Sequence, residues 1–219
     1  MATTPFPMSS PSSANPVTPN TATDSMLPYL NIHTHTPAHE DEQTFPAFGL
    51  HPWHLTDDWQ SELPELEARI SPPCFVGECG LDHLCSTPYP LQLAAFEAQI
   101  QLSERLALPL VLHCVRAIDD VLRLKHGTRQ PWIFHGFRGK PQQLRQLLDH
   151  GFYVSFGFRH NVESLRACHL HRLFLETDDT PSPIAPLYAT AATLLGTTPQ
   201  ALNRQLWQNA TALLEPPTQ

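Results

Sequence analysis

The chain has 219 residues, 41% of them hydrophobic and 16% charged, which is enough for one sizeable core and too little for a second catalytic domain. Its formal net charge of -8, from 13 Lys and Arg against 21 Asp and Glu, argues against a passive nucleic-acid-binding module, because such binding rests on neutralising phosphates; bound divalent cations would reverse that field locally. The 5 cysteines are odd in number and form no CxxC pair, which argues against a disulfide framework and a cysteine zinc ribbon and favours a reducing, cytoplasmic setting.

Residues 1–27 are rich in Pro, Ser, Thr and Ala, hold no Lys or Arg and show no continuous apolar stretch, so they read as a disordered tail and as neither signal peptide nor membrane span. Met26 directly precedes the first strand-like run and is an alternative start, which would make the upstream segment an extension. From Pro28 to the C-terminus, residues 28–219, short apolar runs alternate with amphipathic stretches, the pattern of repeated β-α units around a parallel sheet.

The strand candidates, in order, start at Tyr29, Ala47, Cys74, Leu110, Trp132, Tyr153 and Leu173 and end at His33, Leu50, Glu78, His113, His135, Phe156 and Glu176. Between them, Leu91, Ala95, Ala98, Leu102 and Leu106 share a helical face, and Leu144, Leu147 and Leu148 make a shorter stripe. A last helix is expected to start at Thr198-Pro199, an N-cap followed by Pro, and to bury Leu202, Leu206, Ala210 and Leu213. Because an eight-stranded barrel takes roughly 250 residues, the expected fold is a shortened TIM-like (β/α) barrel of seven or eight parallel strands with outer helices.

His33 and His35 lie two apart on an extended segment, so both point to one face and can reach one ion. Glu78, His113, His135 and Asp178 each follow an apolar run, at the C-terminal strand ends where barrel enzymes carry their chemistry. Any one of these residues has an ordinary explanation. Together they make costly unpaired neighbours unless metal holds them. Nitrogen and carboxylate donors without cysteine suit Zn, Mn, Fe or Ni more than Ca, with Mg also compatible.

The segments Asn31-Ile-His-Thr-His35, Gly49-Leu-His-Pro-Trp-His54, Val76-Gly-Glu-Cys-Gly-Leu-Asp82, Leu108-Pro-Leu-Val-Leu-His113, Phe134-His-Gly-Phe137 and Leu175-Glu-Thr-Asp178 together resemble the TatD family of metal-dependent deoxyribonucleases. The resemblance implies two divalent ions: His33, His35 and Asp178 would hold one, His113 and His135 the other, and Glu78 would bridge them. It also implies that Asp178 orients or deprotonates the attacking water, with Glu78 the second catalytic carboxylate. Two departures stand out. Asn31 occupies a position where the family usually has Asp, and only Thr36 to Phe48 separate the first motif from the His-Pro motif, where the family has about one further β-α unit.

The resemblance makes His51 a substrate or supporting contact, while Arg116, Arg138, Lys140 and Arg159 follow strand ends and supply cations suited to phosphate oxygens. Cys79 and Cys114 adjoin expected ligands and by alternation should point away from them. The expected function is hydrolysis of a phosphodiester, in DNA or a small phosphoester substrate. The alternatives are an amidohydrolase-like enzyme acting on a small amide, lactone or phosphate ester, or a non-enzymatic protein with a decayed site. No membrane association or obligate protein partner is expected.

Overall fold

The computed structural model describes residues 27–214, so the expected tail, apart from Leu27, and the alternative start at Met26 lie outside the described residues. In chain order the elements are β1 (Tyr29–Leu30), β2 (Glu42–Gln43), β3 (Ala47–Phe48), α1 (Trp59–Arg69), β4 (Phe75–Asp82), α2 (Tyr89–Leu106), β5 (Leu110–Val115), α3 (Ile118–Lys125), β6 (Trp132–Phe134), α4 (Pro141–Asp149), β7 (Tyr153–Phe156), α5 (Val162–Ala167), β8 (Leu173–Leu175), α6 (Ala185–Leu195) and α7 (Pro199–Leu214). No helix among the described residues is long and apolar enough to cross a membrane.

Strands β3 to β8 form a six-stranded sheet in sequential order, β1 and β2 a two-stranded one, and every pairing is parallel. Backbone bonds from Ile32 N to Leu175 O (3.1 Å), Asp178 N to His33 O (3.2 Å) and His35 N to Asp178 O (2.9 Å) join the continuation of β1 to the end of β8. Residues 42–48 carry both β2 and β3, so one extended run serves β1 with its first half and β4 with its second. With that run taken as one stave, seven staves succeed one another in a TIM-like α/β arrangement, although the ladders remain two separate sheets.

Three departures from the sequence reading have an identifiable cause in the structure. The Glu42–Gln43 strand lacks any apolar alternation and exists only because it pairs with β1. Strand β3 stops at Phe48, short of Leu50, because the Leu50 backbone is bonded on both sides by the Gln99 side chain, at 2.7 and 3.2 Å. Strand β4 runs on to Asp82 and shifts register between Val76 and Cys79. Glycine is needed there, since a Cβ at Gly77 would lie 2.3 Å from the Val111 carbonyl oxygen and one at Gly80 2.0 Å from that of His113. The resulting irregularity re-aims Glu78, as strand bulges do beside active sites.

Helix α2 packs on β4 with a face that includes fully buried Gln92 and Gln99 as well as Ala95, Phe96 and Leu102. Because β1 and β8 are only 2 and 3 residues long, side chains complete their backbone pairing. Asn203 Oδ1 accepts from Leu30 N (3.0 Å), the Tyr188 hydroxyl donates to Leu30 O (2.8 Å), and Asn209 Nδ2 donates to Leu173 O (3.0 Å). Helix α7 begins as its sequence indicates, with Thr198 Oγ1 accepting from Ala201 N at 3.2 Å, and it buries Leu202, Leu206, Ala210 and Leu213.

Candidate metal centre

Glu78, carried on β4, lies at the middle of a ring of imidazoles. Its Oε1 faces His135 Nε2 (2.6 Å), His113 Nδ1 (2.7 Å) and His51 Nε2 (3.2 Å), and its Oε2 faces His33 Nε2 (3.0 Å) and His35 Nε2 (3.1 Å). Asp178 Oδ1 is 3.6 Å from His35 Nε2. The two carboxylate oxygens therefore serve two different histidine groups. His33, Glu78, His113 and His135 are buried, whereas the His35 side chain is 54% exposed.

The nitrogen lone pairs converge. His113 Nδ1 lies 3.3 Å from His51 Nε2 and 3.4 Å from His135 Nε2, distances at which the nitrogens must either share protons or face a common cation. Three overlapping donor groups have ligand atoms within 4.8 Å of one another: His33, His135 and Asp178; His33, His35 and Glu78; and His51, Glu78 and His113. All donors are nitrogen or carboxylate oxygen. The set fits divalent metal on its chemistry, with His35 on the open side.

A second layer fixes the imidazoles. His113 Nε2 sits 3.3 Å from Asp82 Oδ2, and His135 Nδ1 sits 3.4 Å from Oε1 of fully buried Glu176, whose other oxygen accepts a very short hydrogen bond from Ser155 Oγ. The Asp82 carboxylate behind His113 helps fix that ring, and the Glu176 carboxylate faces His135 at ion-pair distance. Asn31 takes no part in this layer. Its Nδ2 donates to Glu42 Oε2 (3.0 Å) and Thr177 Oγ1 (2.9 Å), and its Oδ1 accepts from Thr177 N (3.1 Å), tying β1 to β2 and to the segment that ends in Asp178.

Burial alone would raise the Glu78 carboxyl, but contacts from His113, His135, His33 and His35 outweigh it and hold the group ionised, far below the usual carboxylate range. Burial likewise opposes charge on His135, yet Glu176 and Glu78 raise it well above the ordinary imidazole value. His35 is raised chiefly by its Glu78 contact, while burial lowers His51 despite the Glu78 carboxylate beside it.

Beside the ring opens a cavity of about 810 Å³, whose lining includes His113, His135, Asp178, Trp53, Arg116, Arg138 and Arg159. Three of the four cations expected from sequence thus border the centre; Lys140, exposed at the start of α4, is not among the lining residues. Arg116 and Asp178 both hold left-handed backbone conformations, φ 55° and 54°, as residues at functional sites often do. Cys79 is buried in the core, as alternation requires, whereas half-buried Cys114 both packs on the core and lines the cavity.

Sequence reasoning singled out His33, His35, Glu78, His113, His135 and Asp178, which the structure brings close to one another. It treated His51 as a contact, although His51 reaches the same Glu78 oxygen as His113 and His135. It also left Asp82 and Glu176 without roles. Both were accessible to the two-residue period of extended chain, which puts Asp82 on the face of Glu78 and Glu176 on that of Asp178.

A family model described as TatD related DNase matches residues 17–215. The 3'-5' ssDNA/RNA exonuclease TatD of Erwinia billingiae is 31% identical over 205 residues, 77% of each chain. The human 3'-5' RNA nuclease TATDN2 is 32% identical over 155 residues, 64% of this chain and 20% of that protein. A TATDN1 homolog of Enterocytozoon bieneusi is 28% identical over 167 residues, and the chain spans 61% of its length. The TATD homolog YJJV of Escherichia coli superposes with a TM-score of 0.66 at 24% identity, covering 82% of this chain and 79% of that one. A TatD family hydrolase of Entamoeba histolytica superposes at 0.68 with 17% identity, covering 80% and 76%. These two likenesses show the shared fold.

Proposed function

This chain belongs to the TatD-related DNase family, and from that premise we propose that it hydrolyses phosphodiester bonds in single-stranded DNA or RNA with the help of two divalent metal ions. The observation that carries the reading is the divided Glu78 carboxylate, one oxygen toward His113 and His135 and the other toward His33 and His35. The Erwinia relative, covered over 77% of its length, is named for single-stranded substrates and 3'-5' polarity, which supports the same substrate class here.

In this reading His33, His35 and Asp178 would hold one ion and His113 and His135 the other, with Glu78 shared between the two sets and His51 a further donor beside His113. Bound ions would supply Lewis-acid stabilisation of charge on the phosphate and would lower the pKa of water. Asp178, half-buried at the cavity edge, orients water and takes its proton. Arg116, Arg138 and Arg159 bind non-bridging phosphate oxygens, each offering a planar fork of donors. Asp82 helps keep the His113 ring from turning, and the Glu176 carboxylate faces His135 from behind at 3.4 Å. The five cysteines, all free, support a reducing cytoplasmic setting.

The test is elemental analysis of reconstituted protein together with a panel of single-stranded DNA, RNA, plasmid, phosphate esters and p-nitrophenyl esters, each with Mg, Mn, Zn or Co. The expected result is two ions per chain and cleavage of single strands. At most one ion, unchanged when His113 and His135 are replaced, defeats the two-ion assignment. Hydrolysis of small esters with no cleavage of nucleic acid returns the alternative of an amidohydrolase-like enzyme.

A further inference from the structure

Trp53 lies on the short turn Pro52–His54 between β3 and α1 and is 56% exposed, whereas Trp59 and Trp132 are buried at 5% and 0%. An exposed indole ordinarily turns freely. This one does not, because its Nε1 donates to Asp82 Oδ2 at 2.6 Å and its backbone N–H donates to His51 Nδ1 at 3.2 Å. The ring stands nearly edge-on to two imidazoles of the centre, with centroids 4.9 Å from His51 and 5.5 Å from His113. It lines the same cavity as His113, His135 and Asp178.

Packing does not account for this placement, since more than half of the residue is left open to water. An immobilised aromatic face beside the hydrolytic residues is what an unstacked nucleobase needs: stacking on a fixed ring costs little conformational entropy and tolerates any base. The Asp82 carboxylate reaches both Trp53 and His113, so the platform and the imidazole are held by one group and keep a fixed spacing.

We propose that Trp53 is a base-stacking subsite, which receives the nucleobase adjoining the scissile phosphate and selects single-stranded nucleic acid over substrates without an accessible base. The inference rests on the nucleic-acid reading above and adds to it the element that recognises the base. A paired base, stacked on its neighbours, cannot lie on Trp53 without being unpaired, so duplex ends should be cleaved more slowly than single strands.

The experiment compares metal-loaded wild type, Trp53→Ala and Trp53→Phe on a single-stranded oligonucleotide and on the same oligonucleotide with an abasic analogue at the terminal nucleotides. Indole fluorescence is read in parallel with a cleavage-resistant phosphorothioate strand. Wild type should show a KM for the abasic strand roughly 5- to 150-fold higher, the range that one lost base stack gives, and its fluorescence should be quenched by the phosphorothioate strand. Trp53→Ala should lose the preference and the quenching, with the change in KM and not kcat, and Trp53→Phe should keep part of the preference. Equal KM for the two strands with wild type, or a preference that survives Trp53→Ala, overturns the inference and leaves the nuclease reading standing. Cleavage of neither strand and no quenching defeat both.

Discussion

Replacing Asn31 with the acidic residue usual in its family should weaken this protein, because the side chain is only 1% exposed and is matched to its neighbours as a donor. Its Nδ2 donates to Glu42 Oε2 at 3.0 Å and to Thr177 Oγ1 at 2.9 Å. Asn31→Asp removes both donors and sets a carboxylate against the Glu42 carboxylate. Leaving buried acceptors unpaired costs about 1–3 kcal/mol. The repulsion between two carboxylates at that spacing is larger by Coulomb's law even at a high effective dielectric, but it is capped because one of them takes up a proton instead. A net loss of about 2–4 kcal/mol is expected, which for a domain of this size lowers Tm by roughly 4–16 °C. Glu42→Gln in the same chain reverses the polarity of the pair: its oxygen can still accept from Ile184 N, as Glu42 Oε1 does at 2.7 Å, and its amide can donate to the new carboxylate. Thermal unfolding followed by circular dichroism, in chelator so that metal adds nothing, should show the double variant recovering most of the loss. The proton shared by Asn31→Asp should also make that loss smaller at pH 5 than at pH 8. An Asn31→Asp protein that melts with the parent, or a double variant no more stable than the single, would refute the argument.

Asp178→Asn should lower kcat on the order of 100-fold or more, with a smaller change in KM and a retained melting temperature; near-native turnover would remove Asp178 as the proton acceptor. Gly80→Ala should cost the site as well as the fold, because its Cβ would meet the His113 carbonyl oxygen at 2.0 Å in a backbone conformation of φ 146°, and metal stoichiometry should fall together with Tm. Metal-free and metal-loaded protein should respond oppositely to pH. Contacts to Glu78 and Glu176 raise His35 and His135 above the ordinary 6.5, so their contribution is fully present below that value and is lost as pH rises through the folded values. The depressed Glu78 contributes above its ordinary 4.5 and is lost only in strong acid, while lowered His51 acts against the acid side. The metal-free Tm should therefore fall between pH 6 and 8, whereas the loaded Tm should rise over the same span because binding requires neutral imidazoles; parallel Tm curves would contradict this.

Several features of this protein follow from its sequence alone. The apolar runs leading to His33, Glu78, His113 and His135 set the parallel β-α architecture and bring these buried donors together, although β4 and β5 continue past Glu78 and His113 to Asp82 and Val115. The Thr198-Pro199 start of α7 was legible for a local reason, since a cap and a first-turn Pro act within a few residues. The short strand Tyr29–Leu30 depends on more distant partners: the Leu30 backbone is satisfied by the side chains of Asn203 and Tyr188, 173 and 158 residues away in sequence, and the Asn31–Glu42 side-chain pair ties this segment to the Glu42–Gln43 strand. The polarity of Asn31 has the same origin, because whether that position should donate or accept is set by Glu42 and Thr177 and by nothing adjacent to it. Gln92 and Gln99 break the apolar stripe of α2 yet are buried, each bonding backbone near the site at Asp82 and Leu50. The standing of His51 as a possible donor, and of Trp53 as a fixed surface, was decided only when β4 and the Pro52–His54 turn were brought side by side, because both depend on carboxylates that β4 supplies, Glu78 for the imidazole and Asp82 for the indole.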